Sequence, residues 1–308
     1  MASLKKRLPA NVPGPFFVDA SCIDCDACRW IAPATFDEAG EQSFVQRQPE
    51  GREERRAALL ALVACPTGSI GVEPGSVPRE ELAWARAAYP VPIDGGVHHA
   101  GYHSEKSFGA ASYFVHRVDA GLGNLLVDSP RFSSALAERL EELGGASTLF
   151  LTHADDVADH ARWRERLGAQ RVIHAGDARG ELRRAEVVIE GIEPLELDRE
   201  TLLIPVPGHT RGSTCLLWRE RYLFTGDHLA WSERLGHPYA FRSACWYDWG
   251  ELVRSMERLA RFRFEWILPG HGRRCYFPAD EMRRQMQRCL DWVRRAGGTE
   301  SGQPPPDS

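Results

Sequence analysis

The chain has no basic excess. Against 43 aspartates and glutamates stand only 38 lysines and arginines, a formal charge of -5. A nucleic-acid surface ordinarily needs a positive face, so nucleic acid is not an expected partner. Long apolar runs are also missing. The longest, AALLALVA at residues 57–64, falls far short of the roughly 18 residues of a membrane span, so no membrane partner is expected either. Lys5, Lys6 and Arg7 are followed by no apolar core, which speaks against a secretory signal and for a cytoplasmic chain with reduced thiols. There is no Gly-x-Ser-x-Gly elbow, no Walker loop and no dinucleotide fingerprint, which removes the commonest serine-hydrolase, nucleotide-hydrolysing and nicotinamide-dependent readings. No internal repeat is evident. Close cysteine pairs are absent beyond the first quarter, so Cys215, Cys245, Cys275 and Cys289 read as single buried thiols.

The other four of the eight cysteines are crowded. SCIDCDACRWIAP and VACPTGSI give Cys22-x2-Cys25-x2-Cys28 and then a distant Cys65 followed by Pro66. Three thiolates two residues apart on a tight loop can wrap one corner of a cubane. A fourth from across the domain closes the cage, and its proline stops the chain from continuing as helix. A structural zinc site, the rival, usually comes as separated pairs. One [4Fe–4S] cluster is therefore expected on Cys22, Cys25, Cys28 and Cys65. The segment 13–75 resembles a single-cluster bacterial ferredoxin, which implies a one-electron carrier with a redox partner.

Composition divides the rest. Residues 76–109 carry proline, glycine and histidine around one helix-like patch, ELAWARAAY, and read as a linker. From 110 to 296 short strand signals alternate with amphipathic helices. The tail, 297–308, has almost nothing to bury and is expected to be disordered. ASYFVHRV, GNLLVDSP, STLFLTH, QRVIHAG, TLLIPVPG and EWILPGHG read as strands, with TCLLWRE and RYLFTGD as a hairpin pair. SSALAERLEEL, DHARWRERLG, DWGELVRSMERLARF and PADEMRRQMQRCLDWVRRAGG read as helices. Strands in runs with helices between some of them imply an α+β arrangement of packed sheets rather than a strictly alternating parallel fold.

Several strands end on metal-ligand types. LFLTHADDVADHARW places His153, Asp155, Asp156, Asp159 and His160 at one exit. VPGHTRGS places His209, LFTGDHLAW Asp227 and WILPGHGRR His271 at three more. A lone histidine at such a place is more often structural, but four exits carrying ligand types are hard to dismiss. In order and spacing the series NLLVDSP, LTHADDVADH, VPGHTRGS, TGDH and LPGHG resembles the metallo-β-lactamase fold, a four-layer αβ/βα sandwich. That resemblance implies metal ligation by His153, Asp159, His160, His209 and His271. Asp227 would bridge two cations, Asp128 would be a structural aspartate, and Asp159 and Asp227 would be the catalytic carboxylates.

The chain departs from the family motif His-x-His-x-Asp-His. The second histidine is missing, and two extra residues precede the Asp-His pair. Asp155 replacing the imidazole is the preferred reading; Asp156 reaching in, or loss of one metal, are the other readings. A carboxylate is a harder donor that shifts preference from zinc toward iron or manganese. The expected cofactors are the [4Fe–4S] cluster and one or two divalent cations, zinc or iron. The expected function is a metallohydrolase of a small ester, thioester or lactone, glyoxalase II-like. An iron-dependent oxidoreductase fed by the cluster, and a non-catalytic iron–sulfur sensor, are the alternatives. His98, His99 and His103 read as exposed loop histidines, and Trp163, Trp231 and Trp246 as core or pocket wall. Arg211 reads equally as an anion-binding group or as a partner of a site carboxylate.

Overall fold

In a computed structural model of the chain, residues 2–118 and 121–297 are described; most of the tail read as disordered lies outside them. The chain divides into two bodies. One runs to Thr148 and includes Ala158–Ala169; the other comprises Leu149–Val157 and the chain from Gln170.

The first body opens with the cysteine segment. Phe16–Val18 pairs antiparallel with Ile70–Val72, Phe16 opposite Val72, so the two ends of the segment are stitched together. Between them lie the short helix Ala27–Ile31, the hairpin Phe36–Ala39/Gln42–Val45 and the helix Gly51–Ala64. That helix buries Ala58, Leu59, Ala61, Val63 and Ala64, and Glu53 and Glu54 in its first turn complement its dipole. It stops at Cys65, whose ψ of 120° leaves the helical region as the residue before a proline must. The segment 76–109 supplies the helix Arg79–Ala87 and the strands Val91–Asp94 and Val97–His99. These strands continue into Tyr113–Val115 and Leu125–Val127 as an antiparallel meander. SSALAERLEEL forms the helix Ser134–Glu142. DHARWRERLG forms His160–Leu167, closed by Gly168 in the left-handed conformation at φ 67°.

The second body is built on a six-stranded sheet. Its order is Leu195–Asp198, Thr201–Pro205, Thr214–Trp218, Tyr222–Gly226, Trp266–Pro269, Cys275–Tyr276. The expected hairpin is present, with Leu216 opposite Phe224, and Tyr222–Gly226 then pairs parallel with Trp266–Pro269. That parallel step brings two strand exits, at Asp227 and His271, side by side. The helix Trp249–Leu259 starts at Asp248, whose carboxylate accepts from the Glu251 N–H at 2.7 Å. The helix Ala279–Gly297 buries Met282, Met286, Cys289, Leu290 and Val293, spaced as one helical face. Both helices contribute to the core that Leu217, Leu223 and Ile267 supply from the sheet.

An ion pair fastens the edge strand Val187–Ile189 to its parallel neighbour Gln170–His174. Arg171 is buried and donates from Nε to Glu186 at 2.9 Å, and this hydrogen bond holds the Glu186 carboxyl at about 2, against an ordinary 4.5. The folded value is the depressed one, so the stabilisation is complete above the ordinary value and fades as pH falls toward about 2. Glu186→Gln should lower stability in urea unfolding by about 1–2 kcal/mol at neutral pH and flatten the acid limb between those values.

Candidate metal centre and cysteine site

In the second body, four strand exits converge. His153 follows the strand Thr148–Phe150 and is buried. Thr152 Oγ1 lies 3.0 Å from its Nδ1, while its Nε2 has no hydrogen-bond partner among the described residues. That Nε2 faces Asp227 Oδ2 at 3.8 Å and Asp156 Oδ2 at 3.9 Å. His209 is also buried, with neither ring nitrogen hydrogen-bonded among the described residues, and its Nε2 lies 3.8 Å from Asp227 Oδ2 and from Asp155 Oδ2. The two imidazoles meet edge to face with centroids 4.7 Å apart. His271 Nδ1 lies 2.8 Å from Asp227 Oδ2, and its backbone N–H donates to Oδ1 at 3.1 Å.

These separations suit ligation better than hydrogen bonding. At 3.8 Å an imidazole nitrogen and a carboxylate oxygen are too far apart to bond, and leaving such nitrogens buried and unpaired costs about 1–3 kcal/mol each. Donors that share a cation at bonds of about 2.0–2.2 Å stand roughly this far apart. Two groups of donor atoms lie within 4.8 Å of one another among the described residues: His153, His209 and Asp227, and Asp156, Asp227 and His271. Asp227 belongs to both. Burial pushes the His153 imidazole down to about 4, so it is neutral at neutral pH. Burial alone would raise Asp227, but His271, His153 and His209 together hold it far below the usual carboxylate range. A neutral imidazole beside an ionised carboxylate is the protonation state a cation requires.

Glycines clear the space. A Cβ on Gly270 would lie 2.6 Å from Asp156 Oδ2 and 2.8 Å from Asp227 Oδ1, and one on Gly208 would strike the Leu252 backbone at 2.4 Å. Asp155 and Asp156 therefore play different parts. Asp156 is buried and grouped with Asp227 and His271, whereas Asp155 is about half exposed, stands 3.8 Å from His209 Nε2 and is in neither group. Asp159 and His160 lie in the first body and in neither donor group. The Asp159 carboxylate accepts from Lys106 Nζ and from the Phe132 N–H, both at 2.8 Å. His160 is buried in the first turn of its helix. Asp128 is buried where Leu125–Val127 ends, at φ 56°. His228 is buried with both ring nitrogens unpaired, and burial pushes it down to about 3.

The sequence did not announce Asp177. Fully buried, it accepts from Ala154 N–H at 2.9 Å, Gly212 N–H at 2.9 Å and Thr210 Oγ1 at 2.5 Å. It thus clamps the loop that carries His153 to the loop that carries His209. A Cβ on Gly212 would sit 2.6 Å from the Asp177 nitrogen, so glycine is needed for the approach. The only available signal was an aspartate just past the exit of the apolar strand in VIHAGD.

In the first body, Cys22, Cys25, Cys28 and Cys65 line one pocket. Backbone N–H groups of Ser43 and Ser69 point at the sulfurs of Cys22 and Cys65, at 3.4 and 3.3 Å. Burial pushes the Cys25 thiol up to about 12, with Cys65 and Cys22 adding to the effect, and raises Cys28 further. Four sulfurs converging on one pocket, with the Cys25 and Cys28 thiols resisting ionisation on their own, suit a cationic iron core that takes up the thiolate charge. Gly109 packs against this pocket; a Cβ there would lie 2.8 Å from Cys25 Sγ. His99 and His103 are buried rather than exposed. Their Nε2 atoms are 2.8 Å apart, and His99 packs on Trp30 at 4.9 Å, because the strand Val97–His99 lies inside a sheet.

Residues 18–72 match the family described as the 4Fe-4S single cluster domain of Ferredoxin I. A curated hydroxyacylglutathione hydrolase from Anaeromyxobacter dehalogenans (strain 2CP-C) is 36% identical over 124 residues, 39% of this chain; the chain spans about half, 47%, of that relative's length. Among solved structures, TMB-1 is 15% identical with a TM-score of 0.50, over 66% of this chain and 96% of that one. An archaeal metallo-β-lactamase superfamily protein from Sulfolobus tokodaii is 18% identical with a TM-score of 0.46, over 70% and 91%. The chain joins a segment that matches the single-cluster ferredoxin family to a mixed α/β region similar in fold to TMB-1.

Proposed function

We propose that the chain is a metal-dependent hydrolase of a small ester, thioester or lactone, with a [4Fe–4S] electron-transfer module attached. One observation carries this: two donor groups share the Asp227 carboxylate. The ligand set we assign is His153, His209 and Asp227 for one cation and Asp156, Asp227 and His271 for the other, with Asp155 at the rim beside His209. Asp159 and His160 are left out of it, because Asp159 is already held by Lys106 and the Phe132 N–H. Divalent cations held there would supply an acidified water and a Lewis acid for the acyl oxygen. For a thioester, water adds to the acyl carbon, the C–S bond breaks, and the sulfur leaves as a thiol that takes up the water proton. Asp227 would fix the spacing of the pair and remain ionised throughout. His153 and His209 would hold a cation through ring nitrogens that no hydrogen bond occupies among the described residues. The likeness to a hydroxyacylglutathione hydrolase supports the thioester choice.

A second reading has its own support. With Asp156 in place of an imidazole the second group holds two carboxylates and one histidine, a hard donor set that suits iron. Iron there, served by the cluster of Cys22, Cys25, Cys28 and Cys65, would make an oxidoreductase. Elemental analysis of anaerobically purified protein, with turnover of a thioester panel, separates the two. Zinc in the histidine site with thioester turnover supports the hydrolase. Iron in that site without turnover supports the oxidoreductase.

A further inference from the structure

Beside the donor cluster, within the second body, a cleft of about 470 Å³ is lined by Asp155, Arg179, Thr210, Arg211, Trp246 and Tyr247. That volume is in the range of small-molecule sites, which run from roughly 300 to 1,000 Å³. We propose that this cleft selects the substrate. It would take an ester or thioester that bears a carboxylate or phosphate, with the anion on Arg211 and Arg179 and a flat or apolar portion on Trp246. The inference rests on the hydrolase reading and adds the substrate class.

Three observations support it. First, Trp246 and Tyr247 are 66% and 49% exposed, an unusual display of adjacent aromatic area beside a buried polar cluster. Their position is built in: both backbone N–H groups donate to the His209 carbonyl, at 2.9 and 3.1 Å. The Trp246 ring lies 6.4 Å from the His209 ring, so a molecule lying on the indole reaches the donor cluster. Second, Arg211 makes no hydrogen bond or ion pair among the described residues, although its neighbours are fully engaged. Thr210 and Gly212 on either side of it are both tied to Asp177. The loop is therefore fixed, while the guanidinium at its tip lines the cleft with its donors uncommitted. Third, the charge balance is local and positive. Arg179 is 65% exposed and only loosely paired with Asp177 at 3.7 Å, an oxygen already committed to the Gly212 N–H. Asp155, the one acid in the lining, faces His209. Two guanidiniums on a chain of net charge -5 mark a place for an anion, and the planar fork of arginine matches carboxylate and phosphate oxygens.

The test uses metal-replete full-length protein and two thioesters of one shape, the S-acetyl derivatives of para-mercaptobenzoate and of thiophenol. The charged substrate should be favoured in kcat/KM by about tenfold or more, mostly through KM, and by less at high salt. Arg211→Gln should cut the charged-to-neutral ratio about tenfold, with Arg179→Gln having a smaller effect. An unchanged ratio in Arg211→Gln overturns the proposal. Should neither thioester be turned over, the hydrolase reading fails, and the cleft is judged on binding alone. Tryptophan fluorescence is then titrated with phenyl phosphate against phenol, with Trp246→Phe identifying the responding indole. Quenching by phenyl phosphate at a Kd raised about tenfold in Arg211→Gln supports an anion site. No quenching, or the same Kd in Arg211→Gln, refutes it.

Discussion

Asp227→Ala is expected to strip the chain of both cations and to lower thioester turnover by about a thousandfold or more. The reason is that this carboxylate stands in both donor groups. Without it, His153 and His209 are left as one pair and Asp156 and His271 as another, and two donors from a protein rarely hold a divalent ion at micromolar concentrations. His271→Ala touches one group only and should cost one equivalent of metal, with His153 and His209 still loaded. Metal content after desalting, measured beside turnover, reads both results. An Asp227→Ala protein that keeps its full metal complement would show that the shared carboxylate is not the keystone. Circular dichroism separates loss of metal from loss of fold.

Asp177→Ala has the second-largest expected effect, and it acts at a distance. The carboxylate is fully buried and accepts three hydrogen bonds, so its removal strands the N–H groups of Ala154 and Gly212 and the hydroxyl of Thr210. Stranded buried donors at about 1–3 kcal/mol each put the loss near 3–5 kcal/mol, or roughly 10 °C in the thermal midpoint. The same substitution unlocks the loops that carry His153 and His209, and metal affinity should fall by about 10–100-fold, as it does when groups that orient ligands are lost. Asp177→Asn keeps the volume and part of the acceptor capacity and should fall between. A variant that loses stability but retains wild-type metal affinity would show that the clamp supports the fold alone. Calorimetry and competitive chelator titration measure the two quantities separately.

The sequence was legible where the physics is local. Spacing alone placed Cys22, Cys25, Cys28 and Cys65, which the fold brings into one pocket. Apolar runs ending in glycine placed His209, Asp227 and His271 at strand exits, because a turn directly after a buried strand leaves few conformations. The helix Trp249–Leu259 was visible in the amphipathic run DWGELVRSMERLARF. What escaped depends on contacts between distant segments. Asp155 and Asp156 are chemically alike and adjacent, and which one turns inward is set by the loop's path and by the space that Gly270 leaves. Asp177 has no local role and acquires one only when the loops at 154 and 210–212 close on it. His99 and His103 looked like loop residues because glycines surround them, yet a strand ladder with Tyr113–Val115 takes His99 inside. Arg211 stood between two roles in the sequence, and that no carboxylate among the described residues pairs with it emerges only from the fold.

The most direct test is an anomalous-scattering crystal structure of the anaerobically prepared protein, with data collected at the zinc and iron edges. The account predicts two cations flanking Asp227, one against His153 and His209 and the other against Asp156 and His271, apart from the iron held by the four cysteines. Finding the imidazoles of residues 153 and 209 pointing to different places, or a cation held elsewhere and none beside Asp227, would contradict it.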